Sequence, residues 1–328
     1  LQSQDEVKRV CNDSTATLQI TEDASSMVNI VPGGHNECFC VNGEAILTDV
    51  VFPALHGTYG EDGKIQGLLE MADIAFVGCS TMASSDLDKE KTKQVLEACG
   101  ISVVPYICMK RCDMLNSNRY DQLFNKAIET LGFPLFVKPC CAGSSNGASK
   151  AENPRQLSFA LMEAFGWDDK VLIEKAIDAR EIECSVTGNS VSYPSDSETE
   201  IVKAYLPGEI LPTHTFYDYD AKYKDPNGAG LQIPADLSPD MIETIRSEAV
   251  KIYKALDAEG LSRVDFFIDK ETNDLYFNEI NTMPGFTPIS MFPKMCEKTG
   301  LNFTNLLELL ITQALERFLS KSTLQTSR

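Results

Sequence analysis

Basic charge is scarce in this chain: 29 Lys and Arg stand against 48 Asp and Glu, giving a formal net charge of −19 with histidine neutral. The summed field repels nucleic acid and anionic lipid, so neither is expected as a partner. A polyanionic ligand would have to be met by a local cluster of cations. Long apolar runs are absent too, since nothing approaches the roughly 18 residues that a membrane-spanning helix needs. No internal repeat or low-complexity block occurs, which argues against solenoids and flexible arrays. Cys38/Cys40 and Cys108/Cys112 have no second C-x2-C or H-x3-H set beside them, so a structural zinc site is not expected. The chain opens at Leu1 with neither a methionine nor the regions of a secretory leader; a processed beginning, or more chain upstream, is expected.

The 11 cysteines are an odd number that cannot all pair within one chain. Several, such as Cys99 and Cys184, stand in apolar segments, which suits buried thiols in a reducing cytoplasm. At 328 residues the chain exceeds one domain of about 100–200 residues and fits two or three packed units.

The first clear strand is expected over Asp49–Leu55, running into a glycine-rich loop from His56 to Gly63, and a second over Ile74–Gly78. Asp88, Asn153-Pro154 and Ser238-Pro239 each signal a helix start, with stops at Gly100, Gly166 and Gly260. In the third of these helices Ile242, Ile245, Ala249, Ile252, Tyr253 and Leu256 form one apolar stripe. Strand-like runs lie at Phe133–Lys138, Val171–Glu174 and Ile182–Thr187. The alternation predicts α/β and α+β units in succession, with divisions at residues 1–84, 85–180 and 181–328. A segment from about 190 to 235, rich in Pro, Tyr, Asp and Gly, is expected to be irregular and functional.

The densest chemistry lies in Ser262–Asp269 and Leu275–Asn281, two alternating runs around a polar turn that read as a hairpin. With the turn centred on Thr272, Asp265 faces Glu279 and Arg263 faces Asn281, all on one side of the sheet. Two opposed carboxylates repel; a divalent cation removes the conflict, and these oxygens suit magnesium completed by phosphates. A polar surface with Arg263 as counter-ion is the plainer alternative. Lys138 ends a strand before a small-residue loop running to Ser149, a candidate anion nest, though many strand ends carry such residues. Glu174 and Glu181 flank a short connection that could meet a nucleoside, or could simply be exposed. Phe216–Tyr223 fits a lid, and Thr282–Pro293 contains Gly285, which allows close backbone approach to a ligand.

These stretches together resemble one family. Lys138 with its G-S-S-x-G loop, E-K-x-I-x-x-R-E from Glu174 to Glu181, Y-D-Y-D-A-K-Y ending at Tyr223, R-V-D-F-F from Arg263 and N-E-I-N-T-M-P-G-F-T from Asn278 follow H-G-T-Y-G-E-D-G from His56 in order. The combination resembles the D-alanine–D-alanine ligases, which are ATP-grasp enzymes, over about residues 49 to 310. The resemblance implies an ATP-grasp fold after an α/β N-terminal domain, three domains in all. It implies that Lys89, Lys138, Ser144, Glu174, Ile177 and Glu181 hold ATP, and that Asp265, Glu279 and Asn281 hold two Mg2+ ions, Mn2+ being an alternative. Arg263 and the Gly285 amide would form an oxyanion site, and Lys222, Ser290 and the Met291 backbone would position the second of two D-alanine molecules. His56 and Glu61 would lie by the substrates, while Tyr223 would close a lid against Ser145. The resemblance also implies a cytoplasmic homodimer.

The resemblance further expects, ahead of Leu1, a strand and a glycine-rich loop carrying a substrate-binding glutamate, and the opening Leu1–Gln4 resembles the helix after that loop. Cys140, Cys141 and Asn146 depart from the usual phosphate-loop residues. Ligases forming D-alanyl-D-lactate or D-alanyl-D-serine are alternatives, as is a non-catalytic nucleotide-binding relative; retention of Arg263 and the three metal ligands argues against the last.

Overall fold

The computed structural model describes residues 8–9, 27–84, 88–143, 146–189, 202–212, 229–287 and 290–325. Its first part holds an antiparallel sheet of β1 (Val28–Ile30), β2 (Phe39–Val41) and β3 (Glu44–Ile46), then β4 (Val50–Val51), α1 (Lys64–Ala72), β5 (Ala75–Phe76) and α2 (Thr81–Ser84). Three short strands therefore precede Asp49–Leu55, the run expected to hold the first strand. That run pairs over only two residues, parallel to β5, and Pro53 just beyond has no N–H to continue a ladder.

Next come α3 (Lys89–Ala98), β6 (Tyr106–Lys110), α4 (Arg111–Met114), α5 (Ser117–Leu131), β7 (Leu135–Pro139), β8 (Ser149–Ala151), α6 (Pro154–Ala164) and β9 (Lys170–Lys175). The strands make an antiparallel sheet in the order β6-β9-β7-β8. The helix starts follow from their caps: the Asp88 carboxylate accepts from the amides of Glu90 and Lys91, and the Asn153 side chain accepts from Gln156 ahead of Pro154. Leu123 and Ala127 of α5 and Leu157, Ala160, Leu161 and Ala164 of α6 bury one face of this sheet.

The last part contains β10 (Ala179–Asn189), β11 (Val202–Ala204), β12 (Gly208–Pro212), β13 (Ala229–Gln232), α7 (Pro239–Ala255), β14 (Glu259–Asp269), β15 (Leu275–Asn281), α8 (Met291–Lys298) and α9 (Phe303–Ser322). Its sheet runs β13-β12-β10-β14-β15, with β11 also on β10. The described parts of the segment expected to be irregular thus contain three strands. Prolines 207 and 212 concealed them, whereas Val202, Ala204 and Ile210 are buried. On α7, Ile245, Ala249, Ile252 and Tyr253 are buried at helical spacing against Ile182, Cys184, Val186, Val264 and Phe266. Each of the Ile, Val and Phe side chains among them contributes about 1.5–3 kcal/mol by leaving water.

Helix α9 returns to the first part. Leu306, Leu310 and Ala314 share a core with Val77 and with the Val50 and Phe52 side chains. Arg317 donates to the carbonyls of Phe76 (2.7 Å) and Gly78, faces Glu259 at 3.4 Å and stacks on the Phe76 ring. Among the described residues no helix is long and apolar enough to cross a membrane. The ten described cysteines are free, but Cys99 is exposed rather than buried because it follows the last turn of α3.

Candidate active site

Strand alternation sorts the site from the core. In the four-stranded sheet Ile107, Met109, Leu135, Val137, Val171 and Ile173 turn to the helices, which leaves Lys138 and Glu174 on the opposite face. In the larger sheet Ile182, Cys184, Val264 and Phe266 turn to α7, leaving Glu181, Glu183, Arg263 and Asp265 on the other side. The two polar faces meet: Lys138 Nζ donates to Asn278 Oδ1 at 3.2 Å, and Lys89 Nζ stands 3.7 Å from Glu279 Oε2.

The hairpin has the expected register, Arg263 opposite Asn281 and Asp265 opposite Glu279. A β-bulge follows, because Phe266 is opposite Phe277 and Asn278 is therefore an extra residue. The extra residue brings two consecutive polar side chains, Asn278 and Glu279, to the two lysines, which strict alternation would forbid.

Arg263 is buried and forks onto Asp265, with Nε to Oδ1 and Nη2 to Oδ2 both 2.7 Å, while Nε is also 3.1 Å from Glu183. Burial disfavours its charge, but Asp265 and Glu183 outweigh that and hold the guanidinium well above its ordinary pKa. Asn281 Nδ2 donates to Asp265 Oδ2 at 2.9 Å. Asp265, Glu279 and Asn281 thus offer two carboxylates and an amide, hard oxygen donors that fit magnesium when phosphates supply further ligands. Among the described residues no group of three or more His, Cys, Asp or Glu gathers into a metal cage, so phosphate oxygens would be needed to complete such a site.

Glu174 is 2% exposed and binds two ammonium groups, Lys93 on Oε1 at 2.7 Å and Lys138 on Oε2 at 2.8 Å. Burial pushes its carboxyl up, yet the two lysines together hold it below the usual range. Lys89, at the start of α3, donates to the Ala142 carbonyl at 3.0 Å and is thereby held against the loop after Lys138. Ile177 lies in the connection from β9 to β10, and Glu181, the third residue of β10, is opposite Phe267.

The glycine-rich loop before α1 approaches from the first part of the chain. Glu61 Oε2 accepts from the Gly57 amide at 2.5 Å, and His56 Nδ1 is 3.0 Å from the accepting carbonyl of Met283. Burial pushes the Glu61 carboxyl up, against the opposing pull of the Gly57 amide, His56 and Arg263. Ser290 Oγ accepts from the Thr287 amide at 3.0 Å just before α8, where Met291 is buried. A Cβ on Gly285 would fall 2.7 Å from Ser290 Oγ, so a larger residue there would force the Ser290 hydroxyl away from the Thr287 amide. Ser144, Ser145, Lys222 and Tyr223 lie outside the described residues.

Three residues of this cluster were not singled out from sequence: Lys93, Glu183 and Asn278. Lys93 is one helical turn beyond Lys89, a readable spacing. Glu183 follows the same strand alternation as Glu181. Asn278 opens the N-E-I-N stretch, but its direction depends on the bulge and is not readable from alternation.

Comparison with known proteins adds an independent line. The family model described as D-ala D-ala ligase N-terminus matches residues 5–79, and D-ala D-ala ligase C-terminus matches residues 95–312. A D-alanine--D-alanine ligase of Treponema denticola is 48% identical over 330 aligned positions, covering 100% of this chain and 87% of the relative. The structure of the D-alanine-D-alanine ligase from Coxiella burnetii superposes with a TM-score of 0.75 at 35% identity, over 90% of this chain and 75% of that one. The VanG D-Ala:D-Ser ligase of Enterococcus faecalis gives 0.73 at 35% identity, over 84% of this chain and 76% of that one.

Proposed function

The chain belongs to the D-alanine–D-alanine ligase family, and from that premise we propose which of its residues carry the reaction. It joins two D-alanines at the expense of ATP, giving D-alanyl-D-alanine for peptidoglycan precursors through an acyl phosphate. ATP lies between the two polar sheet faces. The observation that supports this is the meeting of Lys138 with Asn278 and of Lys89 with Glu279, which gathers two cations, for the phosphates, beside an amide and a carboxylate, the latter a candidate metal ligand.

Lys89 and Lys138 take phosphate oxygens, and Glu174, Ile177 and Glu181 border the nucleoside. Asp265, Glu279 and Asn281 would hold magnesium, two ions with ATP present, with manganese as a substitute, and the bound metal would supply positive charge against the triphosphate and the charge that develops during phosphoryl transfer. The carboxylate of the first D-alanine attacks the γ-phosphorus, forming an acyl phosphate and ADP. The neutral amine of the second D-alanine then attacks the acyl carbon, and phosphate leaves. Arg263 and the Gly285 amide stabilise the tetrahedral oxyanion, while Ser290, the Met291 backbone and Lys222 orient the second substrate. His56 and Glu61 border the substrates. Ser144, Ser145 and Tyr223 close the phosphate loop and lid, excluding water that would hydrolyse the acyl phosphate.

We place these functions in three domains, residues 1–84, 85–180 and 181–328, in a cytoplasmic homodimer with neither nucleic acid nor membrane as partner. Dependence on ATP and the ten free thiols among the described residues support the reducing compartment. Phosphate release from ATP with D-alanine alone, and with D-lactate or D-serine as second substrate, tests the reading. Efficient release with D-alanine alone is expected; turnover only with D-lactate or D-serine would overturn the assigned second substrate.

A further inference from the structure

The buried charges beneath the nucleotide site do not balance. Lys93 is 0% exposed, and its ammonium reaches only inward, to Glu174 Oε1 at 2.7 Å and the Val104 carbonyl at 3.2 Å, with the Tyr106 ring 5.4 Å away. Lys138, 7% exposed, holds the other Glu174 oxygen and reaches across to Asn278. Two cations therefore share one carboxylate. Glu97, the other acid near Lys93, is exposed and accepts the Tyr106 hydroxyl at 3.2 Å. Burial lowers the Lys93 pKa, and the Glu174 carboxylate beside it opposes the shift by favouring the charged ammonium.

We propose that Lys93 is a positioning residue for ATP: by neutralising Glu174 from below, it leaves the charge of Lys138 in surplus and directed at the triphosphate. This rests on the assignment of Lys138 to ATP. Without Lys93, Glu174 would hold Lys138 as its only ammonium partner, and drawing Lys138 toward phosphate would strip a buried carboxylate of its counter-charge. Low dielectric makes that costly. No contact between Lys93 and nucleotide is required.

The test is a double-mutant cycle read by KM for ATP, KM for D-alanine and thermal stability, with ATP binding by the wild type measured first by calorimetry. Lys93→Met should raise KM for ATP about tenfold, equivalent to about 1.4 kcal/mol, and change KM for D-alanine less than about twofold. Lys93→Arg, which keeps the charge, should recover most of the loss. In a Glu174→Gln background the further change Lys93→Met should have little effect on ATP, because no carboxylate remains to be balanced. That comparison also serves if Lys93→Met alone fails to fold. A folded Lys93→Met enzyme with wild-type KM for ATP, or an equal tenfold loss in the Glu174→Gln background, would overturn the inference while leaving the ATP site intact. A wild-type protein that binds no ATP would overturn the site assignment itself.

Discussion

Replacing Lys138 with alanine separates its work for the nucleotide from its work for the fold. The side chain donates to Glu174 at 2.8 Å and to Asn278 at 3.2 Å. Its removal does not orphan Glu174, because Lys93 still holds Oε1 at 2.7 Å. The fold should therefore survive, with a loss of stability below that of a buried ion left bare, about 3–5 kcal/mol. What is lost on the ligand side is a hydrogen bond between charged groups, worth about 1.5–3 kcal/mol, hence a roughly 10- to 150-fold weaker ATP complex. D-Alanine is bordered by other residues, so its affinity should change little. Calorimetric titration of each ligand against both proteins measures this, with circular dichroism checking the fold. Equal ATP affinity in wild type and a folded Lys138→Ala would refute the placement of phosphate at this strand end.

Three other outcomes follow from the same geometry. Glu279→Gln keeps the size of the side chain but removes one of two register-paired carboxylates; magnesium-dependent phosphate release should fall by on the order of a hundredfold in a folded protein, and undiminished turnover would sink the hairpin metal site. Arg317→Met strips Glu259 and two backbone carbonyls of their buried cation, so calorimetry should find a loss of about 3–5 kcal/mol; a loss under about 1 kcal/mol would contradict the role of α9 as the tie to β5. Burial raises the Glu259 carboxyl against the pull of Arg317. A carboxyl with a raised folded pKa contributes stability that is present below its unfolded value, about 4.3, and lost as pH rises through the folded one. Denaturant titrations from about pH 4 to about pH 7 should then show a smaller decline for Glu259→Gln than for wild type, and parallel curves would show that this group is not the source.

Much of the site was legible along the chain because it obeys local rules. Period-two alternation put Arg263, Asp265, Glu279 and Asn281 on one face, and the register bore that out. Asp88, Asn153 and Ser238 announced their helices because a capping side chain meets amides only two or three residues away. The apolar stripe of α7 likewise names its own buried face. The short strands β1 to β3 and the pair β4–β5 were missed or overextended, since a strand of two or three residues carries too little alternation to stand out.

Tertiary structure alone decided the rest. Whether Lys138 would point at empty solvent or at Asn278, 140 residues along the chain, depends on how two separate sheets face one another. The bulge that turns both Asn278 and Glu279 to the lysines arises from a one-residue mismatch between strand lengths, which no single strand encodes. Lys93 reads in sequence as one more charge on a polar helix, and only burial against Glu174 makes it consequential. Arg317 reads the same way until α9 is laid across β5. Local sequence sets which side of an element a residue takes; the energy of a charge depends on dielectric and on partners, and both are supplied by distant segments.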